Sequence, residues 1–102
     1  MGIYDNGGYT SVKGGSAIAG YGGALALSSG MSKLHSSGAV ALKSADSGSF
    51  GTSGEVEIFS GNSKVGDSGH LSFDTGNSEL GRGGDIRFKV GAGVGNGNGG
   101  NI

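Results

Sequence analysis

GEVEIFSGNSKVGDSGHLSFDTGNSELGRGGDIRFKV, residues Gly54 to Val90, repeats one pattern more than twice. Each copy opens Gly-x-Φ-x-Φ, with Φ apolar: GEVEI at Gly54, GHLSF at Gly69 and GDIRF at Gly84. Outward from this stretch the same opening recurs as GYTSV at Gly8, GALAL at Gly23, GAVAL at Gly38 and GNI at Gly100. The intervals are 15, 15, 16, 15, 15 and 16 residues. Regular self-similarity of this kind marks a repeat architecture, and it governs how every other feature is read. The chain is a single repeat array over residues 1–102.

The columns hold inside each unit. Two residues after the anchor glycine stand Thr10, Leu25, Val40, Val56, Leu71, Ile86 and Ile102. Four after it stand Val12, Leu27, Leu42, Ile58, Phe73 and Phe88. A third apolar residue recurs in the second half-unit: Ile18, Leu34, Phe50, Val65, Leu80 and Val94. The period-two alternation puts the first two columns on one face of a strand and the intervening residues on the other. Those intervening residues, among them Ala24/Ala26, Glu55/Glu57, His70/Ser72 and Asp85/Arg87, are small or charged, as on a solvated face.

Composition alone argues differently. Of 102 residues 26 are glycine, none is proline or cysteine, and 33% are hydrophobic, which fits a Gly/Ser-rich linker better than a globular core. The formal net charge of −1 excludes a strongly charged nucleic-acid surface. No apolar run has membrane-spanning length, and no basic stretch precedes an apolar one as in a signal peptide. Without cysteine there is no disulfide and no thiolate metal site, and the compartment stays open.

Periodicity and composition are reconciled by a thin core. A unit of about fifteen residues suits one coil of a two-sided β-solenoid, an all-β fold in which like residues stack on successive coils. Three apolar ladders and neighbouring serines would fill the interior, with glycines at the strand ends taking positive φ. At a strand spacing of about 4.8 Å, six coils would make a rod on the order of 30 Å long. An antiparallel β-meander uses the same alternation and is the alternative. Stacking of Phe73 on Phe88, in one column of adjacent units, follows from the solenoid reading.

GDSGH, Gly66 to His70, resembles the surroundings of a serine-protease nucleophile, which would need a histidine base and an orienting carboxylate. The string lies on a unit boundary, however, where the other copies read LHSSG, FGTSG and LGRGG. The serine slot is filled by Ser37, Ser53 and Ser68 and then by Gly83, so GDSG reads as a turn. The tail GAGVGNGNGG, Gly91 to Gly100, has nucleotide-loop spacing but no helix-forming stretch after it. Calcium would need aspartates in a recurring column, and Asp46, Asp67, Asp74 and Asp85 occupy different ones. His35 and His70 are likewise out of register. No catalytic, cofactor-binding or metal-binding residue is assigned, no cofactor is expected, and the chain reads as not an enzyme.

In its unit pattern, closing on GRGGDI at Gly81 to Ile86, the chain resembles Gly/Ser-rich repeat proteins of marine algae, of the diatom and stramenopile type. The likeness is fullest from about Gly22 onward. It implies a long secreted or surface structural array and transfers no catalytic residue.

The functional expectation is a structural repeat module of an extracellular or cell-surface fibre. Its partner is the chain itself, joined end to end, since a solenoid cut after GNI leaves Ile102 above Ile86 with nothing over it. The competing class is a binding module on the same solenoid. Ice would be met by Ala24, Ala26, Ala39 and Ala41, a patch interrupted by Glu55, Glu57, Phe59, Arg87 and Lys89. A glycan would stack on Tyr4, Tyr9, Tyr21 or Phe59. No nucleic acid and no membrane span is expected.

Overall fold

A computed structural model describes residues 5–94, 97 and 99–102 of the chain. It divides into two parts, Met1–Gly54 and Glu55–Ile102. Neither part contains a helix or a strand among the described residues; both are coil punctuated by bends. The all-β expectation is therefore overturned, both as a two-sided solenoid and as an antiparallel meander.

The physical reason lies in what each unit can offer. A strand face is stable only when buried against another layer. Here the third apolar residue of the unit, expected to point inward from a second strand, sits instead in a bend in five of its six copies, Val94 being the exception. Bends occupy residues 18–20, 33–35, 49–51, 64–66 and 79–81. Leu34, Phe50, Val65 and Leu80 each take the middle position of a bend, and Ile18 opens the first. Only the two columns that share one side remain, and no second layer stands opposite them among the described residues. No described residue is buried, and there is no hydrophobic core among them. Backbone–backbone hydrogen bonding is correspondingly sparse among the described residues. Gly23 N–H donates to the Gly15 carbonyl at 2.7 Å and Gly38 N–H to the Gly30 carbonyl at 3.0 Å. A sheet of this length would carry many more, since folded proteins make about one internal hydrogen bond per residue.

The repeat is nevertheless written into the geometry. The chain returns on itself so that each anchor glycine meets a residue six places after the previous anchor. A methyl carbon built on Gly38 would lie 3.6 Å from Ser29 Cβ, and one on Gly54 3.5 Å from Ser44 Cβ. In the second part, the same construction on Gly69 comes 3.9 Å from Ser60 Cβ and on Gly84 3.6 Å from Thr75 Cγ2. On Gly100 it meets Val90 Cγ1 at 3.1 Å. The tightest return is at Gly14, where the added carbon would lie 2.5 Å from the Gly23 carbonyl oxygen. Two backbones approach there as only glycine allows.

These returns close loops of nine residue steps, as from Ser29 to Gly38, or of ten, as from Ser44 to Gly54 and from Val90 to Gly100. The two longer loops account for the two 16-residue intervals of the sequence. Ser44 and Val90, which close them, are also the two residues that are half-buried while every other residue of known exposure is exposed.

The bends have their own chemistry. Ser32 Oγ accepts from the His35 amide at 3.0 Å, and Ser78 Oγ accepts from the Gly81 amide at 2.9 Å. Both serines stand nine residues after their anchor glycine, and both satisfy the amide three places on, a local side-chain-to-backbone bond that favours turns over ladders. The serines expected to line a solenoid interior thus serve the chain reversal. The expectation that glycines take positive φ at strand ends is also corrected. Among the described residues only Gly51, at φ 125°, lies in that region, in the bend of a 16-residue unit.

Candidate functional site: apolar positions left open

Two classes of apolar position emerge from this geometry. In the part Glu55–Ile102 three members of the first column are half covered, Val56, Leu71 and Ile86 being exposed by 53%, 50% and 52%, whereas Ile102 is fully open. Phe73 is exposed by 53%, and its ring meets that of Phe88 edge-on, centroids 6.2 Å apart at 90°. This is a favoured aromatic geometry, worth about 0.5–1.5 kcal/mol beyond area burial. Neighbouring units therefore do touch through the column four places after the anchor. The sequence placed these two rings together, although the sheet expected to bring them there is missing.

The bend positions behave otherwise. Val65 and Leu80 are exposed by 99% and 102%. Ile18, Leu34 and Phe50 are similarly open, and so is Val94, which stands in the same column but in no bend. The chain presents 10881 Å² of accessible surface, about twice the roughly 5,200 Å² expected of a folded monomer of its 9.8 kDa mass. The apolar columns are a surface property.

Charges are arranged locally. Arg87 Nη2 lies 3.6 Å from Asp85 Oδ2, and Lys43 Nζ 3.8 Å from Asp46 Oδ1, both pairs well exposed and of the kind that contributes little. Ser72 Oγ donates to Asp74 Oδ2. Lys64, Asp67, Glu79 and Arg82 enter no ion pair among the described residues.

The GDSGH string is as open as the rest. Asp67, Ser68 and His70 are all exposed, and Ser68 takes part in no side-chain hydrogen bond among the described residues. His70 is two residues from Ser68 along an open chain, and no pocket surrounds them among the described residues. No group of three or more histidine, aspartate or glutamate side chains converges among the described residues. In the tail, Gly95, Asn96 and Asn98 lie outside the described residues, as does Tyr4 of the glycan-stacking set. Tyr9, Tyr21 and Phe59 are exposed. The alanines Ala24, Ala26, Ala39 and Ala41 are exposed as well, but the flat strand face that was to order them for ice does not form. Among the described residues no helix is long and apolar enough to cross a membrane.

No family model, no curated protein and no solved structure matches this chain.

What sequence reasoning missed is the division of labour within the apolar set. The signal was present. The third apolar residue is followed by glycine in GSFGT, KVGD and ELGR, and preceded by a serine two places earlier in SKL, SKV and SEL. Serine and glycine flanking one apolar residue at a three-residue spacing describe a bend better than a short strand.

Proposed function

We propose that the chain is a structural repeat module of an extracellular or cell-surface fibre, one that completes its order by associating end to end with further copies of itself. The observation that carries this reading is the Phe73–Phe88 contact between consecutive units, made by a column that stays more than half exposed. A unit of a second chain carries the same column and can take a neighbour's place against it. Such a contact is head-to-tail, and a head-to-tail contact that does not close propagates as a filament.

The surface area supports the same reading. The excess over a folded monomer, on the order of 5,000 Å², is surface that partners are free to cover. Ordering that a lone chain cannot sustain, because it buries too little, becomes favourable when partners cover the columns. The recurring serine slot of GDSG supports a structural and non-catalytic role. The resemblance to algal Gly/Ser-rich repeat proteins supports the extracellular placement.

Sedimentation across a wide concentration range, with negative-stain imaging of the same samples, tests the reading. The expected result is a concentration-dependent rise in mass and visible filaments. Phe88→Asp is expected to suppress both, and Glu57→Ser to leave them as they are. A chain that stays monomeric at its highest soluble concentration would refute the fibre role.

A further inference from the structure

The columns that join successive units leave the bends unused, and the second part of the chain gives these a charge pattern of their own. The bend at residues 64–66 reads Lys64-Val65-Gly66, with Asp67 next, and the bend at 79–81 reads Glu79-Leu80-Gly81, with Arg82 next. Each bend thus carries one fully open apolar residue, a charge before it and the opposite charge two places after it. The order of signs is inverted between the two: plus then minus at Val65, minus then plus at Leu80.

We infer that these bends form a lateral docking surface for a second copy of this chain, laid parallel and offset by one unit. In that register Val65 of one copy meets Leu80 of the other. Lys64 then faces Glu79, and Asp67 faces Arg82, so both charge pairs are satisfied around one apolar contact. Parallel copies without the offset set Lys64 on Lys64 and Glu79 on Glu79. Antiparallel copies that bring Val65 to Leu80 set Lys64 opposite Gly81 and Asp67 opposite Ser78, so neither charge meets an opposite one. Of these registers only the one-unit parallel offset pairs all four charges; the unshifted register opposes like charges, and the antiparallel one leaves them without an opposite partner. None of the four charged groups has an ion-pair partner among the described residues, so none must be taken from an existing contact. This inference rests on the self-association proposed above and adds a second, lateral direction to it. An offset contact is also heterologous, so it extends a sheet of chains without closing it.

Charge exchange between two variants tests it. Lys64→Glu and Glu79→Lys each place like charges together in the offset register. Each variant alone is expected to associate roughly three- to tenfold more weakly than the wild-type chain in sedimentation at low salt. A one-to-one mixture of the two is expected to recover wild-type association, because the new carboxylate at position 64 of one chain then faces the new ammonium at position 79 of the other. Only an intermolecular contact gives recovery on mixing. Leu80→Ser should weaken association in any salt. If the mixture associates no better than the separate variants, the offset register is wrong. Should wild-type chains assemble with no response to any of these changes, the lateral surface is refuted while end-to-end growth stands. A monomeric wild-type chain would refute both.

Discussion

Replacing Phe73 by leucine asks whether neighbouring units are held together by the ring pair or merely placed side by side. Leucine keeps most of the apolar cover and removes the edge-to-face interaction. Phe73 is 53% exposed, so about half of the roughly 1.5–3 kcal/mol for a fully buried aromatic is available, and leucine retains much of that. The part that disappears is the aromatic term of about 0.5–1.5 kcal/mol for rings at this distance and angle. At room temperature that range corresponds to a roughly two- to twelvefold fall in the population of the paired state. The assay is NMR on dilute chain with labelled phenylalanine. Wild type should show cross-peaks from the edge of one ring to the face of the other, with ring-current shifts that fade on warming. In Phe73→Leu, cross-peaks from the leucine methyls introduced at position 73 to the Phe88 ring should persist at lower intensity, and the Phe88 shifts should relax toward those of a free phenylalanine. Phe59→Leu, a change in a different column, is the control and should not move the Phe88 ring. Absence of ring-to-ring cross-peaks in the wild-type chain would refute the reasoning, as would Phe88 resonances indifferent to the change at position 73.

Three further outcomes follow from the returns and bends. Gly14→Ala puts a carbon against the Gly23 carbonyl and should break the bond from Gly23 N–H to Gly15, speeding exchange of that amide roughly two- to twelvefold for a loss of about 0.5–1.5 kcal/mol. Gly15→Ala meets open space, and a comparable increase from it would show that the close approach is not what matters. Ser78→Ala should release the Gly81 amide, seen as faster exchange at Gly81 alone, and a response spread over the whole unit would contradict a local bend bond. Ser68→Ala should change neither structure nor association, and a serine-directed phosphonate should not label the chain; stoichiometric labelling at Ser68 would overturn the reading of GDSG as a turn.

The unit length and the two inserted residues were legible in the amino-acid order, because the anchor glycines mark where the chain crosses itself. Their meaning was not. Period-two alternation in GHLSF or GDIRF signals which side chains share a side, and Phe73 and Phe88 do meet across one unit. Alternation does not say whether a second layer exists to complete the sheet. That depended on Val65 and Leu80, which a strand reading turns inward and a bend reading turns outward. Ser63 and Gly66 around Val65, and Ser78 and Gly81 around Leu80, favoured the bend on local chemistry. The expectation of a solenoid came from fitting three apolar ladders into one coil, a global inference that the bends at the third apolar position overruled.

The same local preference explains why association is the natural completion of this chain. Glycine loses more conformational freedom on ordering than any other residue, and it fills a quarter of the positions. Each return brings an anchor glycine near Gly14, Ser29, Ser44, Ser60, Thr75 or Val90 without removing much apolar surface from water. The close approaches recur at the spacing of the units without anchoring them. Apolar burial is the large favourable term in folding and association alike, and in this chain it is still unrealised after the loops have closed. Because every unit carries the same open positions, the surface complementary to one copy is found on another. The repeat therefore specifies its partner by the same residues that specify its own period.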